Sequence, residues 1–275
     1  MSKNLSLPRD SEHREWEARL DKVARGVDGW SARVASPEPI DQKSSLGADS
    51  LPGLDVAESV WYSMCVAWEH LAFAMGAMRA TGTLYPSAYV TVARTALLAA
   101  VNAVWVLSPS SRLERRRRAI RLRADDLRNQ RTAIEEFPAP DKEEESARDE
   151  LLVLIADRQD TLQGAATAIG VVEDVRKMKM DQTQVMSRVE EHLRSADADG
   201  TMFLREMWRL ASAAAHAQFH YGAARAELQG EAEQYGSAVA HFRGELSRDT
   251  GPAIAAAAFV LNEAFRLYDL RRVPH

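Results

Sequence analysis

The chain has 275 residues, 46% of them hydrophobic and 27% charged, and a net charge of −5. This supply of apolar side chains excludes a chain disordered throughout, and the acidic balance excludes bulk electrostatic attraction to nucleic acid. A single cysteine, Cys65, excludes an intramolecular disulfide and a cysteine-based zinc cluster.

Residues 11–26 carry a charged, amphipathic helical pattern within an N-terminal helical arm of residues 1–35. The stretch SPEPIDQKSSLGADSLPGL, residues 36–54, is rich in Pro, Ser and Gly and is expected to be a flexible linker. A helical bundle domain is expected over residues 55–275. Asp55 with Glu58 has capping-box spacing and opens a helix to about Ala80. Its broad apolar face includes Trp61, Met64, Cys65, Trp68, Leu71 and Met75, which suits Cys65 as a small buried side chain.

Pro86 introduces a helix to about Leu107 that is apolar on nearly every side, as in the centre of a bundle. Arg94 lies within it, and a charge in such a helix needs a partner, expected to be a carboxylate or carbonyl on a neighbouring helix. Ser111 with Glu114 and Asp141 with Glu144 cap two long helices separated by Pro138 and Pro140. Leu113, Ile120, Leu127 and Ile134 recur every seven residues, opposite a stripe of Leu152, Ile155, Leu162, Ala166 and Ile169. The expectation is a long antiparallel hairpin over residues 111–169. Asp181 with Gln184 caps a helix to about Arg194, SADADG is a loop, and Thr201 begins another helix. AHFRGELSRDTG has room for one short β-hairpin before a last helix that starts at Thr250 and Pro252. The fold class is therefore all-α, a multi-helix bundle with a long helical hairpin.

Arginine supplies 29 of the 35 basic residues. Residues 112–131 hold nine arginines against three acids, and residues 135–150 hold eight acids against Lys142 and Arg148. Clustered arginine is the electrostatic footprint of a phosphate or RNA track. The simpler account is a solvated hairpin with complementary charge, and no aromatic residue lies in the run to stack on a base.

The segment WRLASAAAHAQFHYG, from Trp208 to Gly222, gives the most specific site. On one continuous helix Arg209 and His216 share a face, about 20° and about 10.5 Å apart, with Ser212 and His220 within about 40° of His216. Histidine suits general acid–base work near neutral pH, and arginine stabilises charge on a phosphoryl group. Arg209 and His216 are the catalytic candidates; Ser212, His220 and Arg94 are the binding candidates. His216 and His220 also have the i, i+4 spacing of a metal pair, but Ala217 stands where the zincin pattern needs Glu, so no metal and no cofactor are expected.

Two resemblances rest on these residues. YPSAYVTVARTALLAAVNAVWVLSP, the arginine-rich helix after it and WRLASAAAH resemble uncharacterised all-helical proteins of actinobacteria. Arg209, six intervening residues and His216 resemble, more loosely, the signature of the HEPN superfamily. That resemblance implies a helical, often dimeric protein, and in many members a metal-independent RNase of toxin or phage-defence systems. Leu210 departs from the polar residue that often follows the arginine in active members.

The leading expectation is a non-catalytic interaction or ligand-binding protein; the alternative is the HEPN-like RNase. A homodimer, with a protein or RNA as further partner, goes with these readings. MSKNLSLPRD lacks the apolar core of a signal peptide, and the apolar run Ala96 to Leu107 is short for a bilayer span. A cytoplasmic location without a membrane partner is expected.

Overall fold

The computed structural model describes residues 7–195, 204–223, 226–227, 233–234, 237–238, 241–242 and 244–274. Among them run nine α-helices: α1 (Leu7–Ala35), α2 (Val56–Thr81), α3 (Ala88–Leu107), α4 (Arg112–Glu135), α5 (Lys142–Ala168), α6 (Gln182–Ser195), α7 (Leu204–Ala215), α8 (Phe219–Ala223) and α9 (Gly251–Arg272). The fold is an all-α multi-helix bundle. The expected loop after Ser195 and the helix start at Thr201 lie outside the described residues.

The helix starts follow from side-chain chemistry. Asp55 Oδ1 accepts the Glu58 N–H at 3.0 Å, and Ser111 Oγ accepts that of Glu114 at 3.4 Å. Asp141 Oδ1 accepts those of Glu143 and Glu144 at 3.0 and 2.9 Å, and Asp181 Oδ1 that of Gln184 at 3.1 Å. Each bond satisfies a donor that the first helical turn cannot satisfy itself.

The chain forms two compact units. The first comprises Met1–Glu38, Ser63–Val101 and Glu190–Phe265. Here α1 is longer than its expected 11–26 and is packed rather than free: Leu20, Ala24 and Val27 are buried at helical spacing. The Trp68 indole N–H donates to Val27 O at 2.9 Å, and Trp30 stacks on Phe265 with ring centroids 5.2 Å apart. Ala226–Glu227 (β1) pairs antiparallel with His241–Phe242 (β4), and Glu233–Gln234 (β2) with Ser237–Ala238 (β3). Strand pairing therefore reaches further upstream than AHFRGELSRDTG. The later part of that segment is a π-helical turn, Leu246–Thr250, that leads into α9. A Cβ at Gly251 would collide with Leu246 O and the Trp16 indole, so the turn requires glycine there.

The second unit comprises Pro39–Tyr62, Asn102–Val189 and Arg266–His275. Its centre is the α4–α5 hairpin, in which Ile120, Leu127, Ile155 and Leu162 are at most 1% exposed. The ends of the expected stripes are more open: Leu113 is 41% exposed, and Ile134, Leu152 and Ile169 are half-buried. Residues 36–54, expected as a flexible linker, bury Ser44, Leu46, Asp49 and Leu54. The Leu46 N–H donates to Arg271 O at 2.9 Å. Pro, Ser and Gly report turn chemistry there; Leu46 and Leu54 hold the turns in the core.

Helix α3 is long and apolar enough to cross a membrane by length and composition. Ala96, Ala100, Val101, Ala103, Val104, Val106 and Leu107 are all buried within the protein, which gives the apolar run a core role.

Candidate functional site

Helix α7 brings two of the binding candidates together. Arg94 Nε donates to Ser212 Oγ at 2.8 Å, and Ser212 Oγ donates to Trp208 O at 2.7 Å. The partner of Arg94 is thus a hydroxyl rather than the carboxylate or carbonyl expected, and Arg94 is half-buried. A half-buried guanidinium keeps part of its surface in water and needs no counter-charge within the protein. The buried Trp208 indole Nε1 has no hydrogen-bond partner among the described residues.

The stripe from Arg209 to His220 is not one helix. Ala217 N–H donates to Ala214 O at 3.2 Å and Gln218 N–H to Ala213 O at 2.9 Å, while Ala217 takes φ 51°. This pair of bonds around a left-handed residue is a Schellman stop. His216 is its capping position, and its N–H still donates to Ser212 O at 3.0 Å. Arg209, Ser212 and His216 therefore keep the helical phase. His220 belongs to α8 and leaves the wheel on which the spacing had placed it. Arg209, His216 and His220 are all exposed. The buried Tyr221 holds α8 by donating from its hydroxyl to Pro86 O at 2.7 Å.

The arginine run has a structural occupation. Helix α3 ends without a basic residue in its last turn, which leaves carbonyls exposed at the negative end of the helix dipole. Arg118 Nη1 donates to Trp105 O at 2.8 Å, and Arg271 to Leu107 O at 2.6 Å and Pro109 O at 2.9 Å. Arg115 Nη1 donates to Pro109 O at 3.0 Å and Ser110 O at 2.8 Å. The other edge of the Arg115 guanidinium grips Asp49 with two bonds, Nε to Oδ2 at 2.5 Å and Nη2 to Oδ1 at 2.8 Å. Arg115 is 2% exposed and Asp49 0%, so this is a buried, bidentate ion pair. Arg116 holds the same turn through Asp49 O at 2.9 Å and Ala48 O at 2.8 Å. Burial first, and the Arg115 guanidinium second, pull Arg271 below the usual arginine value, with Asp49 opposing. Arg121, Arg123, Arg128 and Arg131 each pair with a carboxylate, those of Glu173, Asp126, Asp125 and Glu135. Asp49 carried no signal in the sequence, since it lies in the segment that reads as linker.

Exposed apolar residues on α5 carried no site signal in the sequence. Leu151 is 48% exposed, Val153 61% and Leu154 44%, beside the inward stripe of Ile155 and Leu162. Phe137, in the turn between α4 and α5, is 68% exposed. The apolar run LLVLI holds more than one face of a helix can bury. One turn further along α5 lies a shallow open cleft of about 260 Å³, lined by Gly53, Arg123, Leu127, Arg158, Thr161 and Leu162.

Among the described residues no group of three or more His, Cys, Asp or Glu side chains is placed to hold a metal ion. Cys65 is a half-buried free thiol, and burial pushes its pKa up, away from the reactive thiolate. In comparisons with family models, curated proteins and solved structures, the chain matches none.

Proposed function

We propose that the chain is a non-catalytic interaction protein and that its α4–α5 hairpin meets the partner. The observation that carries this reading is the exposed apolar pair Leu151 and Leu154, three residues apart on one face of α5. Scattered exposed leucines are ordinary, whereas two that adjoin on one helix face form a surface that association would cover. The test is a photo-crosslinking residue in place of Leu154, with the exposed Ala133 on α4 as the control position. A defined protein adduct from position 154 and none from position 133 is expected. No adduct from position 154 overturns the reading.

The second reading is a HEPN-like, metal-independent RNase, and one observation favours it. Arg209 and His216 are both exposed on one helical phase, and neither side chain has a hydrogen-bond or ion-pair partner among the described residues. His216 would serve as acid and base and Arg209 would stabilise the scissile phosphate. The wild-type protein, in its native oligomeric state, should then cleave RNA with and without chelator. His216→Ala should lower the rate on the order of 10²–10⁴. Folded wild type that leaves varied RNA uncut ends this reading and leaves the first untouched.

A further inference from the structure

The outer face of α5 has a pattern that fits its own copy. Glu143, Ala147, Leu151, Leu154 and Arg158 follow at spacings of four, four, three and four residues, which puts them on one side of the helix. All five are exposed. Neither Glu143 nor Arg158 has a side-chain hydrogen bond or ion pair among the described residues, so both charges are available to a partner. The stripe thus reads acidic, small, apolar, apolar, basic along about 22 Å of helix. Read in the opposite direction, the signs reverse.

We propose that α5 pairs antiparallel with α5 of a second copy of this chain, about a two-fold axis that passes between Glu150 and Leu151. The inference rests on the interaction reading and names its partner. With the axis there, Glu143 of each copy lies opposite Arg158 of the other, and the Leu154 knob enters the space above the small Ala147. Leu151 lies beside the axis and packs near its own counterpart. Parallel pairing would instead set Glu143 against Glu143 and Arg158 against Arg158, so charge selects the antiparallel arrangement. A two-fold interface of this kind is self-complementary and closes at the dimer. Glu150 sits on the rim next to the axis, where it faces its own copy across solvent; neutralising it removes a repulsion.

Sedimentation velocity on the full chain tests this, with circular dichroism to confirm that each variant is folded. The wild type should dimerise with rising concentration, and Leu154→Glu should be monomeric. Glu143→Arg alone and Arg158→Glu alone should each weaken dimerisation about tenfold, because symmetry disrupts two pairs at once. The double variant E143R/R158E should restore it, and Glu150→Gln should tighten it. In a Cys65→Ser background, Leu151→Cys should form a disulfide-linked dimer under mild oxidant, and Arg158→Cys alone should not. A wild type that stays monomeric up to hundreds of micromolar overturns the proposal, as does a dimer indifferent to Leu154→Glu and to charge reversal. A monomer that still crosslinks to a different protein through position 154 overturns self-pairing and leaves the interaction reading standing. No adduct of any kind overturns both.

Discussion

Replacing Asp49 by Ala strikes a charge that is fully withdrawn from water. Asp49 is 0% exposed and its carboxylate accepts two bonds from Arg115, itself 2% exposed. Removal of the carboxylate leaves a buried guanidinium without its counter-ion, a loss of about 3–5 kcal/mol. At about 2–4 °C per kcal/mol, the melting temperature should fall by roughly 6–20 °C. Arg112, the next cation at 3.7 Å from Asp49, is 54% exposed and contributes little to the difference. The double variant D49A/R115M separates the causes. It removes the stranded charge but leaves the Ser110 carbonyl without its Arg115 donor, at about 1 kcal/mol, while the Pro109 carbonyl keeps its bond from Arg271. It should therefore be more stable than D49A and less stable than wild type. Urea unfolding gives the free energies, and hydrogen exchange across residues 112–127 shows whether the loss lies in α4. D49A within about 1 kcal/mol of wild type refutes the reasoning, since a buried charge cannot lose its partner that cheaply.

Three further outcomes follow from named geometry. Ser212→Ala removes the acceptor of the 2.8 Å bond from Arg94 and should cost about 1–3 kcal/mol in urea unfolding, as a bond to a charged group does. Ala217→Gly should raise stability by about 0.5–1 kcal/mol, because φ 51° costs an L-residue more than glycine, and calorimetry would read this as a higher melting temperature. Gly53→Ala should destabilise by about 1–3 kcal/mol, because φ is +82° and the new Cβ would stand 2.6 Å from the Thr161 methyl and 2.8 Å from its carbonyl oxygen.

Much of the fold was legible because helix starts are local. Asp55, Ser111, Asp141 and Asp181 satisfy donors two or three residues away, so the chain alone shows where those helices begin. The hairpin was legible for a related reason: a seven-residue repeat fixes which face of α4 is covered, and Ile120 and Leu127 are covered. Residues 36–54 show where local reading stops. The same Pro, Ser and Gly that rule out a helix are compatible with a loose chain or with tight turns. Only a distant guanidinium, 66 positions away at Arg115, makes Asp49 a core residue.

The candidate site divides along the same line. Arg94 was singled out as a charge in an apolar helix and Ser212 by its helical face, yet their bond joins residues 118 positions apart and no periodicity could pair them. His220 was placed by extending a 100° wheel past His216, and the wheel fails because alanine occupies the position where a helix stop usually carries glycine. The stop was hidden by an unfavourable residue, so the sequence looked more helical than the backbone is. The arginine run misleads in the opposite sense. Nine positive charges in twenty residues suggest a surface for phosphate, but a cation at the end of a helix dipole has carbonyl oxygens to satisfy first. Arg115 and Arg118, together with Arg271 from α9, are committed there, and four more are matched to carboxylates. Charge density in a sequence becomes a binding surface only where the fold leaves the charge unspent, and on the α5 face that condition holds for Glu143 and Arg158.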